Sequence, residues 1–208
     1  TFNDTVATFM DFTVNQKGNT RFMYVLPMSS RKALFEFTLF SPNLLSTEEY
    51  EREIKKYLQQ QAITDYKIVE KEKGIIPMTS YRFWRQNSNN VLYIGTVGGW
   101  TKASTGFTFR NTTKKTKEVV DFLKKDKSFR SFRKPTRFWY YDLLLIDLLV
   151  RNNHLGSSIF SKLFKRNSIK NVFKFLDEES SFLQDVRIMF SMPSYRFTWT
   201  LIRRLFNF

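Results

Sequence analysis

Aromatic and aliphatic residues alternate with polar ones in two adjacent stretches near the start of the chain. This period of two predicts β-strands over residues 21–26 and 33–40, and the turn PMSSRK between them predicts an antiparallel hairpin. Neighbouring strands are predicted at residues 6–14 and 66–73. Ser46 and Glu49 form a capping box ahead of apolar residues at helical spacing, so an amphipathic helix is predicted between these strands.

A buried strand is predicted at residues 91–95, followed by a glycine-rich turn and a helix over residues 106–125. Glycine reaches positive φ and lets a backbone approach another molecule closely. Ser104 or Thr105 is predicted to cap the helix, which leaves free backbone N–H groups in front of it. An ordinary strand-to-helix turn is the alternative, although fewer glycines would suffice for one. Four of the seven glycines of the chain lie in this stretch, at positions 95, 98, 99 and 106.

Beyond residue 137 the strand pattern gives way to helical spacing. Short helices are predicted over residues 138–150, 156–164, 169–175, 182–189 and 195–206. The chain as a whole is therefore predicted to have an α+β fold in three parts. An antiparallel sheet with one helix occupies residues 1–90, the strand, glycine turn and helix occupy residues 91–135, and a helical region occupies residues 136–208.

Composition narrows the chemistry. The chain has 208 residues, of which 42% are hydrophobic, and this is enough to bury a core. It contains no cysteine, which excludes disulfides and thiolate chemistry and fits a reducing cytoplasm. The single histidine, His154, lies in the polar turn RNNHLG, and this argues against a histidine metal site or a Ser-His-Asp triad. No metal site is predicted.

A net charge of +15 and 23 phenylalanines suggest a polyanionic or lipid partner. Basic residues interleaved with aromatic ones could stack the bases of a single-stranded nucleic acid. A protein that rests on a bilayer and admits an apolar substrate is the alternative. The chain contains no run of 18 uncharged apolar residues, so no membrane span is predicted. Charge alone leaves both alternatives open.

Glu36 is the leading candidate for acid–base chemistry. Alternation along its strand places Leu34, Glu36, Thr38 and Phe40 on one face and Phe35, Phe37 and Leu39 on the other. Apolar neighbours would desolvate the carboxylate, raise its pKa and favour the protonated acid, which donates a proton at neutral pH. A glutamate on a solvated sheet face is the alternative. Asp11, also in apolar company, is the second choice.

Other acidic residues receive structural interpretations. Asp142 falls early in a predicted helix, where the helix dipole favours a negative charge. The acids at residues 177–179 are predicted to cap the start of the next helix, and three adjacent acids on a helix cannot converge on one metal ion.

The glycine-rich stretch IGTVGGWTKASTGFTF (residues 94–109) resembles the flavin-facing signature of bacterial lycopene beta-cyclases. These belong to a larger group of flavoproteins with a two-domain, hydroxylase-like architecture. That group usually has Gly-Asp where this chain has Gly95 and Thr96. Further blocks follow in the order of the cyclase family: FMDF (9–12), RFMYVLP (21–27), ALFEFTLFS (33–41), GIIPMT (74–79), FLDEES (175–180) and IMFSMP (188–193).

The resemblance implies cyclisation of lycopene, in which a proton added to the terminal double bond starts the closure of a β-ionone ring. It implies that Glu36 is the acid–base residue, and that FAD is used in its reduced form with NAD(P)H as electron source. The residues implied to face FAD are Gly95, Thr96, Gly98, Gly99, Ser104, Thr105 and Gly106. Those expected to line the substrate tunnel are Phe22, Tyr24, Phe35, Phe37, Pro77, Met78 and Trp100.

The 208 residues contain no GxGxxG fingerprint, and the first residue is Thr1. The chain is therefore expected to be the C-terminal portion of an α/β flavoprotein, inactive alone and lacking its N-terminal Rossmann-type, FAD-binding half. The expected partners are lycopene, a peripheral membrane surface and that missing half, but not nucleic acid. The expected location is cytoplasmic, at the membrane periphery. The alternatives are a basic, aromatic-rich nucleic-acid-binding module and a related flavin-dependent lipid reductase or hydroxylase.

Overall fold

The computed structural model describes residues 1–125, 127–132, 136–192, 199–200 and 203–204. Contacts group the chain into two compact units, Thr1–Lys73 with Arg151–Ser161 and Gly74–Val150 with Lys162–Phe208. The described residues form a three-stranded antiparallel sheet and six α-helices, so the predicted α+β class is confirmed. Membership of the flavoprotein superfamily and the predicted division at residues 90 and 135 stay predictions.

The first unit contains the sheet, in the order β1 (Thr8–Asp11), β2 (Arg21–Ser29) and β3 (Lys32–Leu39). Strands β2 and β3 pair antiparallel, with Tyr24 opposite Glu36, so the predicted hairpin is confirmed. Strand β1 pairs with β2 through an irregular register, and Met10 there has a φ of 58°. The sheet therefore has two edges and two faces available for packing.

Helix α1 (Thr47–Gln60) covers one face of this sheet. Its predicted capping box is confirmed, because Glu49 N donates to Ser46 Oγ at 3.2 Å and Ser46 N donates to Glu49 Oε2 at 2.9 Å. Along β2 and β3, every second side chain, at the odd-numbered positions, packs against the apolar side of the helix. The core and its lining comprise Val14, Met23, Val25, Phe35, Phe37, Leu39, Tyr50, Ile54 and Tyr57.

The segment that begins α4 (Gly156–Arg166) closes one end of the sheet in the same unit. Buried Thr20 donates from its backbone N to Asn153 Oδ1 at 2.6 Å and from its hydroxyl to Asn153 O at 2.8 Å. Asn153 Nδ2 in turn donates to Phe40 O at 2.7 Å. A Cβ added to Gly156 would lie 1.8 Å from Thr20 Oγ1. Glycine is therefore required for this close approach.

The second unit is mainly helical. It contains α2 (Phe109–Leu123), most of α3 (Arg137–Asn152), α5 (Ile169–Leu176) and α6 (Phe182–Ser191). The predicted helices over residues 106–125, 138–150, 156–164, 169–175 and 182–189 are confirmed with small shifts of their ends. The predicted helix over residues 195–206 lies largely outside the described residues.

Two predicted strands are wrong. Residues 66–73 and 91–94 are irregular, and their apolar side chains, such as Val69 and Ile94, are exposed. A strand forms only when a neighbour satisfies its backbone N–H and C=O groups, and no described strand of this chain pairs with either segment. Residues Gly95–Gly98 then form a 3₁₀ turn.

Replacing Gly156 with alanine should destabilise the protein. Gly156→Ala forces a methyl group against the Thr20 hydroxyl, and overpacking of this kind costs about 1–3 kcal/mol of unfolding free energy. Urea denaturation followed by circular dichroism measures the change. Gly74→Ala is the matched control, since nothing lies within 4 Å of its added Cβ, and it should change stability by less than about 1 kcal/mol. Equal midpoints for the two variants would contradict the packing described.

Candidate functional site

Glu36 lies on the sheet face that α1 leaves uncovered. Its Oε1 accepts a hydrogen bond of 2.7 Å from Thr38 Oγ1, and Tyr24 is its cross-strand neighbour. The paired residues Leu26 and Leu34 lie on the same face and are exposed, as Glu36 is. The prediction that apolar neighbours desolvate this carboxylate is therefore wrong, since the described residues leave Glu36 exposed to water. Around Glu36, Leu26 and Leu34 this face is an open apolar surface, whereas its other end is covered, since Phe12 packs on Phe22 and Phe160 of α4 packs on Phe40.

The aromatic residues predicted to line a tunnel in this unit divide between the two faces. Phe22 and Tyr24 share the Glu36 face, with ring centroids 5.1 Å apart. Phe9 of β1 adds a third ring, 5.1 Å from Tyr24. Phe35 and Phe37 point the other way and pack against α1, because neighbouring strand residues face opposite sides. Burial, and then the charge of Glu36, raises the pKa of Tyr24, so that its phenol stays neutral.

Asp11 has a structural environment at the end of β1. Its carboxylate accepts hydrogen bonds from Thr13 N at 2.9 Å and from the Tyr57 hydroxyl at 2.7 Å. Burial raises the pKa of Asp11, but these hydrogen bonds outweigh it and hold the pKa below its ordinary range. An acid that is kept ionised is a poor proton donor at neutral pH. The hydrogen bonds of Asp11 therefore give it a structural role at the end of β1.

The glycine turn of the second unit combines a tight bend with an open surface. Gly95 and Gly99 have φ values of 62° and 68°, a region that favours glycine. A Cβ on Gly98 would lie 2.2 Å from Tyr93 O, so close packing of the chain requires this glycine. Nothing lies within 4 Å of a Cβ built on Gly95. A ligand can therefore approach the backbone at Gly95.

The predicted capping of the following helix is wrong. Helix α2 begins after Thr108, whose side chain makes no capping hydrogen bond. Ser104 is buried, and its hydroxyl donates to Asp142 Oδ1 at 2.6 Å. The Thr105 hydroxyl is also buried, but it has no hydrogen-bond partner among the described residues.

A cavity of about 80 Å³ lies beside the glycine turn, within the second unit. Sequence reasoning had selected five of its lining residues, namely Pro77, Thr96, Gly98, Gly99 and Trp100. The other five predicted residues of this unit do not belong to the lining: Met78, Gly95, Ser104, Thr105 and Gly106. A Cβ on Gly106 would press on Ile76 at 3.2 Å. The aromatic wall is completed by Trp84 and Trp139, whose rings meet edge to face at 5.3 Å.

Two buried lysines border this cavity, and sequence reasoning missed both. Lys102 Nζ lies 2.9 Å from Asp142 Oδ1 and 3.7 Å from Glu178 Oε1. Burial raises the pKa of Asp142, although the charge of Lys102 opposes this. In a chain with 34 lysines and arginines, no sequence signal distinguishes a buried lysine from an exposed one. The helix-dipole interpretation of Asp142 is wrong, since this ion pair and Ser104 account for its position.

Lys115 is the second buried lysine, and it holds the end of the glycine turn. From helix α2 its Nζ donates to Gly99 O at 3.2 Å and to Trp100 O at 3.3 Å. These two hydrogen bonds hold the carbonyl groups of Gly99 and Trp100, at the end of the glycine turn, in place.

The acids at residues 177–179 do not cap the next helix as predicted. Asp177 is buried and follows α5, where its Oδ2 lies 3.0 Å from Arg110 Nε. Ser181 caps α6 instead, in a capping box with Gln184. Among the described residues, no group of three or more acidic or histidine side chains could hold a metal ion. None of the helices that the structure describes is both long enough and apolar enough to cross a membrane.

Comparison with known proteins adds to this geometry. A protein-family model described as lycopene cyclase protein matches residues 1–201, which is nearly the whole chain. No curated protein and no solved structure matches. The family match confirms the resemblance that the sequence motifs indicated.

Asp11→Asn should lower the free energy of unfolding at pH 7 by about 1–2 kcal/mol, because hydrogen bonds to a charged acceptor become weaker ones. The folded pKa of Asp11 is lowered, so its stabilisation is complete above the unfolded pKa and is lost as the pH falls through the folded pKa. The difference from the parent should thus shrink below about pH 4. Urea denaturation at a series of pH values measures it, with Asp4→Asn as an exposed control. A difference that did not change with pH would contradict the assignment.

Lys115→Met should loosen the glycine turn. Methionine fills similar space but leaves the Gly99 and Trp100 carbonyls without their donor, at a cost of about 1–3 kcal/mol. Hydrogen exchange at residues 95–101 should become faster while exchange in α1 stays unchanged. Lys117→Met removes an exposed lysine of the same helix and should leave both regions unchanged. Equal exchange in the two variants would show that Lys115 does not hold the turn.

Proposed function

The chain belongs to the lycopene cyclase family, and we propose that it carries the acid and the flavin-facing turn of a lycopene beta-cyclase. The observation that carries this proposal is the open apolar sheet face around Glu36. Lycopene is a hydrocarbon, so an apolar surface is what binds it. Its cyclisation starts with one proton, and this face offers one carboxyl group hydrogen-bonded by Thr38.

The proposed reaction is an isomerisation. The carboxyl proton of Glu36 adds to one carbon of the terminal double bond and leaves a tertiary carbocation on the other. The electron pair of the neighbouring double bond attacks this carbocation and forms the new carbon–carbon bond of a six-membered ring. Loss of a proton from a ring carbon then gives the β-ionone ring. One proton enters and one leaves, so the product has the formula of the substrate.

Substrate binding would create the conditions that this acid requires. Glu36 is exposed beside Leu26 and Leu34, so an apolar chain laid on this face would remove water from the carboxyl group. Desolvation favours the neutral, protonated form of a carboxylic acid. The Thr38 hydroxyl restricts the side chain, and small displacements from a productive geometry are costly. Binding of the substrate would therefore favour the protonated, proton-donating form of the Glu36 carboxyl group.

Aromatic rings on the same face would stabilise the carbocation. Tyr24 faces Glu36 across the strands, and the Phe9 ring lies 5.1 Å from it. A cation over an aromatic face gains about 0.5–2 kcal/mol. The Phe22 ring packs edge to face against the Tyr24 ring and is itself buried.

Gly95, Thr96 and Thr105 would hold the flavin. Support comes from the open space before Gly95 and from its positive φ. Reduced flavin, when bound, would supply negative charge, with NAD(P)H as the source of its electrons. The 208 residues carry no GxGxxG, so the pyrophosphate of FAD would be bound by a dinucleotide-binding half outside them. The family match favours this function over a nucleic-acid-binding module or a lipid reductase.

In the complete enzyme, Glu36→Gln should abolish cyclisation. Glutamine keeps the size and polarity of glutamate but cannot donate a proton to an alkene, and loss of a general acid costs about 10²–10⁴-fold or more. Glu36→Asp should keep a small part of the activity, because it retains the acid but withdraws it by one methylene. Expression in lycopene-accumulating bacteria gives the readout, since uncyclised lycopene leaves colonies red and cyclised product makes them yellow-orange.

Glu51→Gln is the matched control, because it removes an exposed glutamate of α1 that pairs with Lys71 at 2.6 Å. Its colonies should be as yellow as those of the parent. Flavin absorbance of the purified Glu36→Gln enzyme should also equal that of the parent. If Glu36→Gln colonies turned yellow as readily as the parent, Glu36 would be a structural residue and the proposed acid would be wrong.

A further inference from the structure

We propose that the outer face of α6 docks on a membrane surface that contains anionic lipids. The inference rests on the proposed function, because a hydrocarbon such as lycopene dissolves in a bilayer and has to be collected there. It goes further by naming the surface that makes the contact. The surface comprises Phe182, Leu183, Val186, Arg187 and Phe190, and is called the α6 stripe below.

The α6 stripe is apolar and faces outward. Phe182, Leu183 and Phe190 are 62%, 79% and 69% exposed. Residues 182, 186 and 190 follow at intervals of four, and residue 183 lies beside them, so all share one side of the helix. Buried Asp185 and Ile188 lie on the opposite side and anchor α6 to its unit. A helix with one anchored side and one exposed apolar side has the form of an interfacial helix.

Exposed basic residues lie within the α6 stripe and on the helices that contact α6. Arg187 is exposed within it. Arg166 Nη1 donates to Ser191 O at 3.0 Å, which places the end of α4, with exposed Lys165, beside the end of α6. Helix α5 packs against α6 and carries exposed Lys170. Basic side chains beside an apolar stripe meet anionic headgroups while the apolar groups enter the acyl boundary.

Three acidic residues of the same region are paired with basic partners. Asp185 lies 2.7 Å from Arg137, and Asp177 lies 3.0 Å from Arg110. Glu179 lies 2.6 Å from Lys114. Glu178 shares Lys102 with Asp142, so one negative charge remains there against the exposed basic residues Arg166, Arg187, Lys165 and Lys170. Among these residues positive charge is in excess. Positive charge together with exposed phenylalanine and leucine is complementary to an anionic bilayer, which offers both a charged surface and an apolar layer beneath it.

Site-specific fluorescence tests whether the α6 stripe enters a bilayer. The chain has no cysteine, so Leu183→Cys provides a unique position for an environment-sensitive NBD label. With vesicles of phosphatidylcholine and phosphatidylglycerol, the emission at this position should shift to the blue and rise about twofold or more, as expected for a label leaving water. The same label at Leu123→Cys on α2, a leucine 59% exposed in the parent, is the control and should not respond. An unchanged spectrum at position 183 would overturn the proposal.

Vesicle sedimentation, in the absence of lycopene, tests the energetics. The double variant Leu183→Gln/Phe190→Gln and the single variant Arg187→Glu should each bind the same anionic vesicles about tenfold more weakly than the parent. Leu123→Gln and Lys117→Glu, also exposed, should bind as the parent does, and circular dichroism checks that all variants keep their helices. Equal binding by all variants overturns the proposal.

Analytical ultracentrifugation without vesicles tests the competing occupant of the α6 stripe. The parent should sediment as the α6 variants do. Self-association of the parent that Leu183→Gln/Phe190→Gln abolishes would assign the stripe to a second copy of the chain and overturn membrane docking. These assays do not depend on catalysis, so loss of cyclase activity in the Glu36 variants bears on the proposed function alone.

Discussion

The two-residue period of β3 separates the residues that hold the first unit together from the residue proposed to react. Phe35, Phe37 and Leu39 face α1 and fill the core, while Glu36 faces the side that α1 does not cover. A register slip of one residue would exchange the two sets. The capping box of α1 and the Tyr57–Asp11 hydrogen bond both serve the covered face. The proposed acid is thus placed by the same alternation that forms the core.

In the second unit, two buried lysines lie beside the glycine turn together with aromatic residues. Lys102 pairs with Asp142, and Lys115 donates to two backbone carbonyls of the turn. Burying a charge is costly unless it is paired or hydrogen-bonded, so these groups favour one arrangement of the turn over others. A loop that is proposed to face a flavin needs such support, because its glycines give it little conformational preference of its own.

Local signals in the sequence were sufficient for much of the fold. Alternation predicted the β2–β3 hairpin, and Ser46 with Glu49 predicted where α1 begins. The strands expected at residues 66–73 and 91–95 failed because strand composition says nothing about whether a pairing partner exists. The family motif predicts that Glu36 is the acid, which stays a prediction, but its exposure depends on which face α1 covers. Lys102 and Lys115 could not be found, because burial of a lysine arises from tertiary contacts alone.

Acid-initiated ring closure takes one hydrogen from an exchangeable acid for each ring that forms. The carboxyl proton of Glu36 exchanges with water, so the complete enzyme acting on lycopene in D₂O should yield one deuterium per β-ionone ring. Mass spectrometry counts this deuterium, and NMR should locate it on the carbon of the former terminal double bond that accepts the proton. A β-ionone ring formed in D₂O without deuterium at that carbon would contradict proton-initiated cyclisation by a carboxylic acid.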